Sequence, residues 1–332
     1  MLRRATRRLL LGFGIVLFVV TATFILVSIA PGDPARLWVA PGAGQAELDA
    51  ARQALGLDRP LPVRYLTWLA NFARGDWGTS LVQQRPVMSI VADALPHTLL
   101  LTAASLILTY IGGIIVGVIQ ALRHRTALDT GLTVTTLFVY GMPAYWLAIM
   151  LVLVFSYAAA RYGWPDWIRF PALGVTSLDA EFLSPWGRTV DRIRHLALPL
   201  VTLGAIGVAG TARFVRGAVL DVRNLPFVRT ARAKGVSQLA VQWRHILRNA
   251  LLPLITLLGL SLPALFSGTV FVEVIFAWPG MGRIMVDAVA GRDYPIVMAT
   301  TAIFALLVVI GNLLADILYA VADPRVARDG HE

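Results

Sequence analysis

Five histidines, His97, His124, His195, His245 and His331, are the side chains best equipped to bind a metal or move a proton, and they stand singly along the chain. None belongs to an H-E-x-x-H repeat, and the spacing puts no carboxylate beside them at ligand distance, so no metal site is expected. Lys234 follows Ala233 rather than a glycine, and no G-x-x-x-x-G-K-[ST] loop occurs, which removes the usual cradle for hydrolysing a nucleotide. A G-x-S-x-G elbow is also missing, and the absence of cysteine excludes thiol catalysis, disulfides and Cys-ligated metal. The densest charged chemistry lies instead in residues 227–256, FVRTARAKGVSQLAVQWRHILRNALLPLIT. There Phe227, Ala231, Val236, Leu239, Val241 and Ile246 alternate with arginine and polar residues, a pattern suited to an interface rather than to a reaction.

The elements that must carry this segment are apolar. Hydrophobic residues make up 57% of the 332 positions and charged ones only 14%, with a mean hydropathy of +0.71, which specifies a polytopic membrane protein. The net charge of +10 does not imply nucleic acid, because the arginines cluster at the ends of apolar runs. A crossing of roughly 30 Å needs about 20 residues. Six runs qualify: 9–30, 97–122, 131–160, 196–219, 249–275 and 296–320. The third is longer than one crossing requires, so it is expected to tilt or to run past the bilayer surface. Arg213 and Arg216 in the fourth must sit at a polar end or face a cavity.

Arg3, Arg4, Arg7 and Arg8 precede the first run in the manner of a secretory signal. Its long apolar core and Pro31, just past Ser28-Ile29-Ala30, argue for a retained span. With six crossings, those arginines, the 123–130 loop, Arg213 to Arg248, and Arg325 and Arg328 of the tail all fall on one side, which the basic-residue rule makes cytoplasmic. The fold expected is therefore all-α, with N- and C-termini inside. The organisation read is a basic tail and first span (1–30), an external helical region (31–96), a core of five spans (97–322) with the loop 220–248, and a tail (323–332). In the external region, 45–55 reads as a helix stopped by Gly56, and Pro62 opens another that ends near Gly75, with Leu66, Leu69 and Ala73 on one face. A small cap and a solvated loop with two helical turns fit this region equally.

Pro226 should end the fourth span, and Gly235 should bend the basic segment into two short helices. Physics alone favours a surface helix with arginines on lipid headgroups; docking to a partner is the alternative. Glu273, near the outer end of the fifth span, is read chiefly as a hydrogen-bonding group in the Trp278-Pro279-Gly280 turn, with a pathway role as the second reading. Asp316 in the sixth span is read as pairing near the interface with the Arg325 end, with a pathway or gate role as the second reading, and Pro143 as a kink or gate. Gly112, Gly113 and Gly117, with Gly204, Gly207 and Gly210, predict close helix approach, and Pro199, Pro253 and Pro263 permit kinks.

Several stretches together resemble one family across nearly the whole chain. RTARAKG followed by RHILRNALLP resembles the cytoplasmic loop of ABC-importer permeases of the oligopeptide, dipeptide and nickel class, first-subunit branch. Aligned on Gly235, the general signature of E-A-A, three residues, G, nine residues, I, one residue, L-P meets Arg229, Thr230, Ala231, His245, Leu247 and Arg248, departures that match the peptide-permease variant. APGDPA at 30–35, LGLDRPLPVRYLTWL at 55–69, GDWGTSL at 75–81, Leu95-Pro96-His97-Thr98-Leu99, FVEVIFAWPGMGRIMVDAVAGRDYPIV at 271–297 and Asp323-Pro324-Arg325 are similar to the same family's other motifs.

This resemblance implies a bacterial cytoplasmic-membrane permease subunit that forms a peptide pathway with a second homologous permease subunit, served by two ATP-binding subunits and an external substrate-binding protein. No catalytic residue or cofactor is implied for this chain; ATP and magnesium act in the partner subunits. Residues 227–247 become a coupling helix in an ATPase groove, with Val236, Leu239 and Ile246 as anchors framed by Arg232, Lys234 and Arg244, and with Ala233 beside them. Nickel or another small solute is the alternative cargo; peptide is favoured because no His or carboxylate cluster marks a nickel path. A partner-independent membrane enzyme or channel is the remaining alternative, opposed by the lack of a catalytic set.

Overall fold

The computed structural model describes residues 2–40 and 42–322; side chains at 2–7, at 252, 255–256, 259–260 and 262–268, at 316 and from 318 on lie outside the description. The expectations for Pro263, Asp316, Arg325, Arg328 and the Asp323-Pro324-Arg325 motif fall on those positions. The helices are α1 (Leu2–Ile29), α2 (Ala35–Trp38), α3 (Gln45–Ala54), α4 (Leu61–Ala73), α5 (Val87–Leu122), α6 (Ala127–Tyr140), α7 (Ala144–Val152), α8 (Pro185–Arg223), α9 (Pro226–Ala233), α10 (Gln238–Ala240), α11 (Leu252–Ile275), α12 (Met281–Gly291) and α13 (Tyr294–Ala322). A π-helical turn, Leu153–Ala158, extends α7 to Ala159–Arg161, and a second, Val241–Leu247, extends α10 to Arg248–Ala250. Among the described residues no strand forms beyond an isolated bridge between Thr79 and Pro86.

Among the described residues five segments are long and apolar enough to cross a membrane: Arg8–Ile29, Val87–Leu122, Ala144–Arg161, Pro185–Arg223 and Tyr294–Ala315. Hydropathy located these runs but not their ends. The second helix begins at Val87 rather than at 97, and the fourth at Pro185 rather than at 196, because Ser184 caps its first turn by accepting from Gly187 N–H at 3.1 Å. The third run is neither one tilted helix nor one overlong helix. It breaks at residues 141–143, where Pro143 stands extended (ψ 134°) with no N–H to continue a ladder, so α6 ends and α7 begins anew.

Contacts divide the chain into two compact units. One comprises Met1–Thr98 and Pro279–Ile310. In it the C-terminal half of α1 receives α4 through rings: Phe24 meets Tyr65 edge-on at 5.2 Å and Trp68 at 6.4 Å, and Trp68, Phe72 and Trp77 stack in sequence at 5.1 and 5.0 Å. Of Leu66, Leu69 and Ala73, Leu66 and Ala73 are exposed and Leu69 is half-buried, while the rings at 65, 68 and 72 are half-buried toward α1. The helices around 45–54 and 61–73 themselves stop where glycine was expected to stop them. Asp33 of the APGDPA stretch pairs with Arg52 of α3, Nε at 2.8 Å, and accepts Ala35 N–H at 3.0 Å. Burial pushes the Asp33 carboxyl up, but these bonds outweigh it and hold it below the ordinary range.

The other unit comprises Leu99–Trp278 and Gly311–Glu332. Here α5 and α8 meet backbone to backbone: a Cβ at Gly117 would lie 2.6 Å from the Ala212 carbonyl oxygen, and one at Gly113 would lie 2.6 Å from the Thr211 methyl. Gly204 and Gly207 receive Leu108 and Thr109 in the same way, so the small-residue pattern does serve close approach.

Candidate functional site

Residues 226–250 are built from strong local signals. Pro226 occupies the first turn of α9, where its missing N–H costs nothing, and Val228 and Ala231 turn inward three residues apart. The helix closes on Gly235: Val236 N–H reaches Ala231 O at 3.2 Å, Gly235 N–H reaches Arg232 O at 3.0 Å, and Gly235 adopts φ +76°. This is a Schellman closure, whose left-handed residue excludes most side chains by backbone strain even though nothing lies within 4 Å of a Cβ there. Ser237 then caps α10 by accepting from Ala240 N–H at 3.4 Å. The two short helices expected on either side of Gly235 are present.

Their inner faces join the chain's own core. Val228, Ala231, Val241, Ile246 and Leu247 are buried with Val215 and Val219 of α8, Ala121 of α5 and Leu254 of α11. Ile246, expected as an anchor for a partner, is only 2% exposed and is therefore unavailable; Leu247 and Ala231 are likewise internal. The apolar side chains that do face outward are Leu239, 70% exposed, and Trp243, 68% exposed, four residues apart, together with Phe227 and Val236. Trp243 was absent from the residues singled out by sequence. Arg229, Thr230, Arg232, Ala233, Lys234 and Arg244 are exposed around this face and His245 is half-buried.

Beside this cluster, α8 carries an ion pair. Arg216 Nε lies 2.9 Å from Asp129 Oδ1 and a terminal nitrogen lies 3.0 Å from Oδ2, while Arg125 N–H donates to Oδ2 at 2.9 Å. The Asp129 carboxyl, only 3% exposed, is held far below the ordinary carboxylate range, first by the Arg216 hydrogen bonds, against the upward push of burial. His124 Nδ1 sits 3.3 Å from the same carboxylate, and His195 Nδ1 lies 3.4 Å from Asp191, so two histidines do have acidic neighbours, contrary to the spacing-based expectation. Among the described residues no three such groups converge on a metal position. Arg213 rests over the Tyr140 ring at 5.0 Å.

The remaining singled-out residues lie elsewhere. Glu273 is fully buried near the end of α11, and its backbone carbonyl accepts Trp278 N–H at 2.8 Å in a turn where Ala277 takes φ +48°. Thus the main chain of Glu273 does hold that turn. Pro143 is exposed at the α6–α7 break, and the side chain of Asp316 is outside the description. Sequence also gave no role to Asp293, 1% exposed, which accepts N–H bonds from Leu81 and Val82 at 3.2 Å each and a hydroxyl bond from Ser80. It ties GDWGTSL to the GRDYP stretch.

Comparison with known proteins agrees along the full length. Residues 1–102 match the N-terminal membrane component of binding-protein-dependent transport systems. The oligopeptide transport system permease AppB of Bacillus subtilis is 43% identical over 96% of this chain and 98% of its own. The di/tripeptide transport system permease DppB of Pseudomonas aeruginosa is 37% identical over 95% and 94%, and the glutathione transport system permease GsiC of Salmonella typhi is 37% identical over 98% and 99%. An inward-facing structure of the MetNI methionine ABC transporter shares the fold at 16% identity and TM-score 0.56, covering 72% of this chain and 98% of that one. Residues 113–328 match the family of binding-protein-dependent transport system inner membrane components, and the chain belongs to that family as a multi-pass permease subunit of the inner membrane.

Proposed function

We propose that this chain lines a peptide pathway together with a second permease subunit, receives peptide from an external binding protein, and is driven by two ATPase subunits that hold ATP and magnesium. The arrangement takes six crossings, which the five apolar segments above would supply together with α11, whose 24 residues contain Glu273 as their one charged side chain. The N-terminus and the 226–250 segment then face the cytoplasm. Peptide is the cargo favoured because the relatives named above carry oligopeptide, di/tripeptide or glutathione.

The observation that carries coupling is the outward pair Leu239 and Trp243 above a buried base. An exposed tryptophan beside a leucine, ringed by arginines, has the composition of an anchor that fills a partner's groove. Because Val241, Ile246 and Leu247 are packed on Val215 and Val219, a push on that pair moves α8 and α11 rather than a loose loop. The Arg216–Asp129 fork extends the moving body to the start of α6. ATPase closure would thereby alternate access to the pathway, a shift between two states set by their different affinities for the ATPases.

Co-expression with the second permease and the ATPases tests this reading. Trp243→Asp should release the ATPases from the purified permease pair while the pair remains assembled; full ATPase retention would sink the coupling role. Uptake of labelled dipeptide, oligopeptide and nickel in a deletion strain decides the cargo, and nickel uptake without peptide uptake would overturn the peptide assignment.

A further inference from the structure

The unit that includes the external helices encloses a cavity of about 600 Å³ at the end of α1 remote from Arg3, Arg4, Arg7 and Arg8. Its wall toward the spans is apolar, made by Phe24 and Val27 of α1 and Met298 of α13. Trp68 and Trp77, held in the aromatic stack described above, also line it. Arg59 and Arg64 complete the lining. Among the described residues neither side chain makes a hydrogen bond or ion pair, whereas Arg52 is committed to Asp33 and Asp76 accepts Gly78 N–H at 3.1 Å. A neighbouring cavity of about 310 Å³ shares Gly32, Asp33, Pro34 and Tyr294 and adds Arg36 and Arg292, so the surroundings are cationic as well.

We infer that this cavity is a binding site for an anionic phospholipid of the leaflet facing away from the arginine-rich N-terminus, with the phosphate on Arg59 and Arg64 and the upper acyl chain against Phe24, Val27 and Met298. Polarity decides the class of ligand. The lining joins apolar side chains of two spans, Phe24, Val27 and Met298, to the rings of Trp68 and Trp77 and to the guanidiniums of Arg59 and Arg64, the three chemistries of hydrocarbon, interface and headgroup in a bilayer leaflet. A zwitterionic peptide would need a carboxylate for its amino end. Asp33 is already neutralised by Arg52 within the cavity, and Asp76 is set against two arginines that have no partner of their own. With Arg52 cancelled by Asp33, Arg59 and Arg64 against Asp76 leave the lining one positive charge in excess, which selects a phosphodiester whose headgroup adds no positive charge, as in phosphatidylglycerol, over phosphatidylcholine.

Native mass spectrometry of the full permease complex, titrated with phosphatidylglycerol or phosphatidylcholine of matched chains, tests the assignment. At about fivefold per unit of net positive charge near a lipid phosphate, phosphatidylglycerol should be retained roughly fivefold more strongly. Arg59→Ala/Arg64→Ala should abolish that preference, and Arg59→Lys/Arg64→Lys should restore most of it. Equal retention of the two lipids by the unmodified complex would overturn the proposal without any variant. A preference that survives the double alanine variant, or displacement of bound phosphatidylglycerol by inorganic phosphate or a short acidic peptide at lipid-free concentrations, would overturn it as well, the latter by identifying a small-anion or peptide site. None of these readouts depends on ATPase docking or uptake, so the result stands apart from the coupling experiment.

Discussion

Arg216 grips Asp129 with two nitrogens, at 2.9 and 3.0 Å, across 87 positions of sequence, and thereby fastens the start of α6 to the inner end of α8. Breaking a fully buried pair costs about 3–5 kcal/mol. Arg216 keeps 28% exposure, so Asp129→Ala should cost less, roughly 2–3 kcal/mol after solvent screening. Asp129→Leu combined with Arg216→Met should recover part of the loss, because no charge is then left unpaired. Because the folded carboxyl is depressed, its contribution is full above the unfolded value near ~4 and is lost only as pH falls through the folded value. Thermal unfolding of the purified complex should therefore show no loss from this pair between about pH 5 and 8. A loss of the Asp129-dependent stability inside that window would contradict the assignment.

Gly235 separates backbone strain from steric fit. With φ at +76° and open space around a Cβ, Gly235→Ala should be penalised by about 1 kcal/mol for the left-handed conformation alone. Gly235→Asn, larger but more tolerant of that region, should be milder than alanine. Retention of ATPase subunits and peptide uptake should follow the same order, glycine above asparagine above alanine. If asparagine were the more damaging of the two, a partner would have to occupy the space beside Gly235, and strain would not be the cause.

Leu239 and Ile246 are seven residues apart and would share a face on an uninterrupted α-helix, yet one is 70% exposed and the other 2%. The π-helical turn at Val241–Leu247 rotates the register between them and brings Trp243 outward instead. Trp243→Ala should thus weaken ATPase binding by roughly 2 kcal/mol, about 30-fold, with little change in the permease's own melting. Ile246→Ala should do the reverse, destabilising the fold by about 2–5 kcal/mol while leaving the outward face intact. Pull-down affinity and thermal melting, measured on both variants, distinguish the two roles; equal effects on both quantities would erase the distinction.

That register shift also marks what sequence could and could not say. Long apolar runs, and glycines placed to stop α3, α4 and α9, are local signals, and each appears where the chain called for it. Pro143 reads as a kink or gate, but the complete break at Gly141 to Pro143 does not show in the sequence, because three uncharged residues do not lower the hydropathy of a 30-residue run. The helix starts at Val87 and Pro185 were hidden because helices outlast their apolar stretches. Pairs such as Asp129 with Arg216 carry no local mark, since each residue alone reads as a solvated charge.

Asp293 offers the sharpest test of how the external motifs are held. Its carboxylate receives the Leu81 and Val82 N–H groups and the Ser80 hydroxyl at a site that is 1% exposed. Asp293→Ala leaves two backbone donors buried without an acceptor, at about 1–3 kcal/mol each. Ser80→Ala removes one donor from a carboxylate that keeps two others, at about 1 kcal/mol. Asp293→Asn should fall between them, because its amide retains one acceptor oxygen but turns two hydrogens toward groups that also donate. Melting of the purified protein should therefore decline from the parent through Ser80→Ala and Asp293→Asn to Asp293→Ala, and limited proteolysis should cut first within residues 75–86 in the weakest variant. If Ser80→Ala proved as damaging as Asp293→Ala, the hydroxyl rather than the two main-chain donors would be the principal hold on this loop.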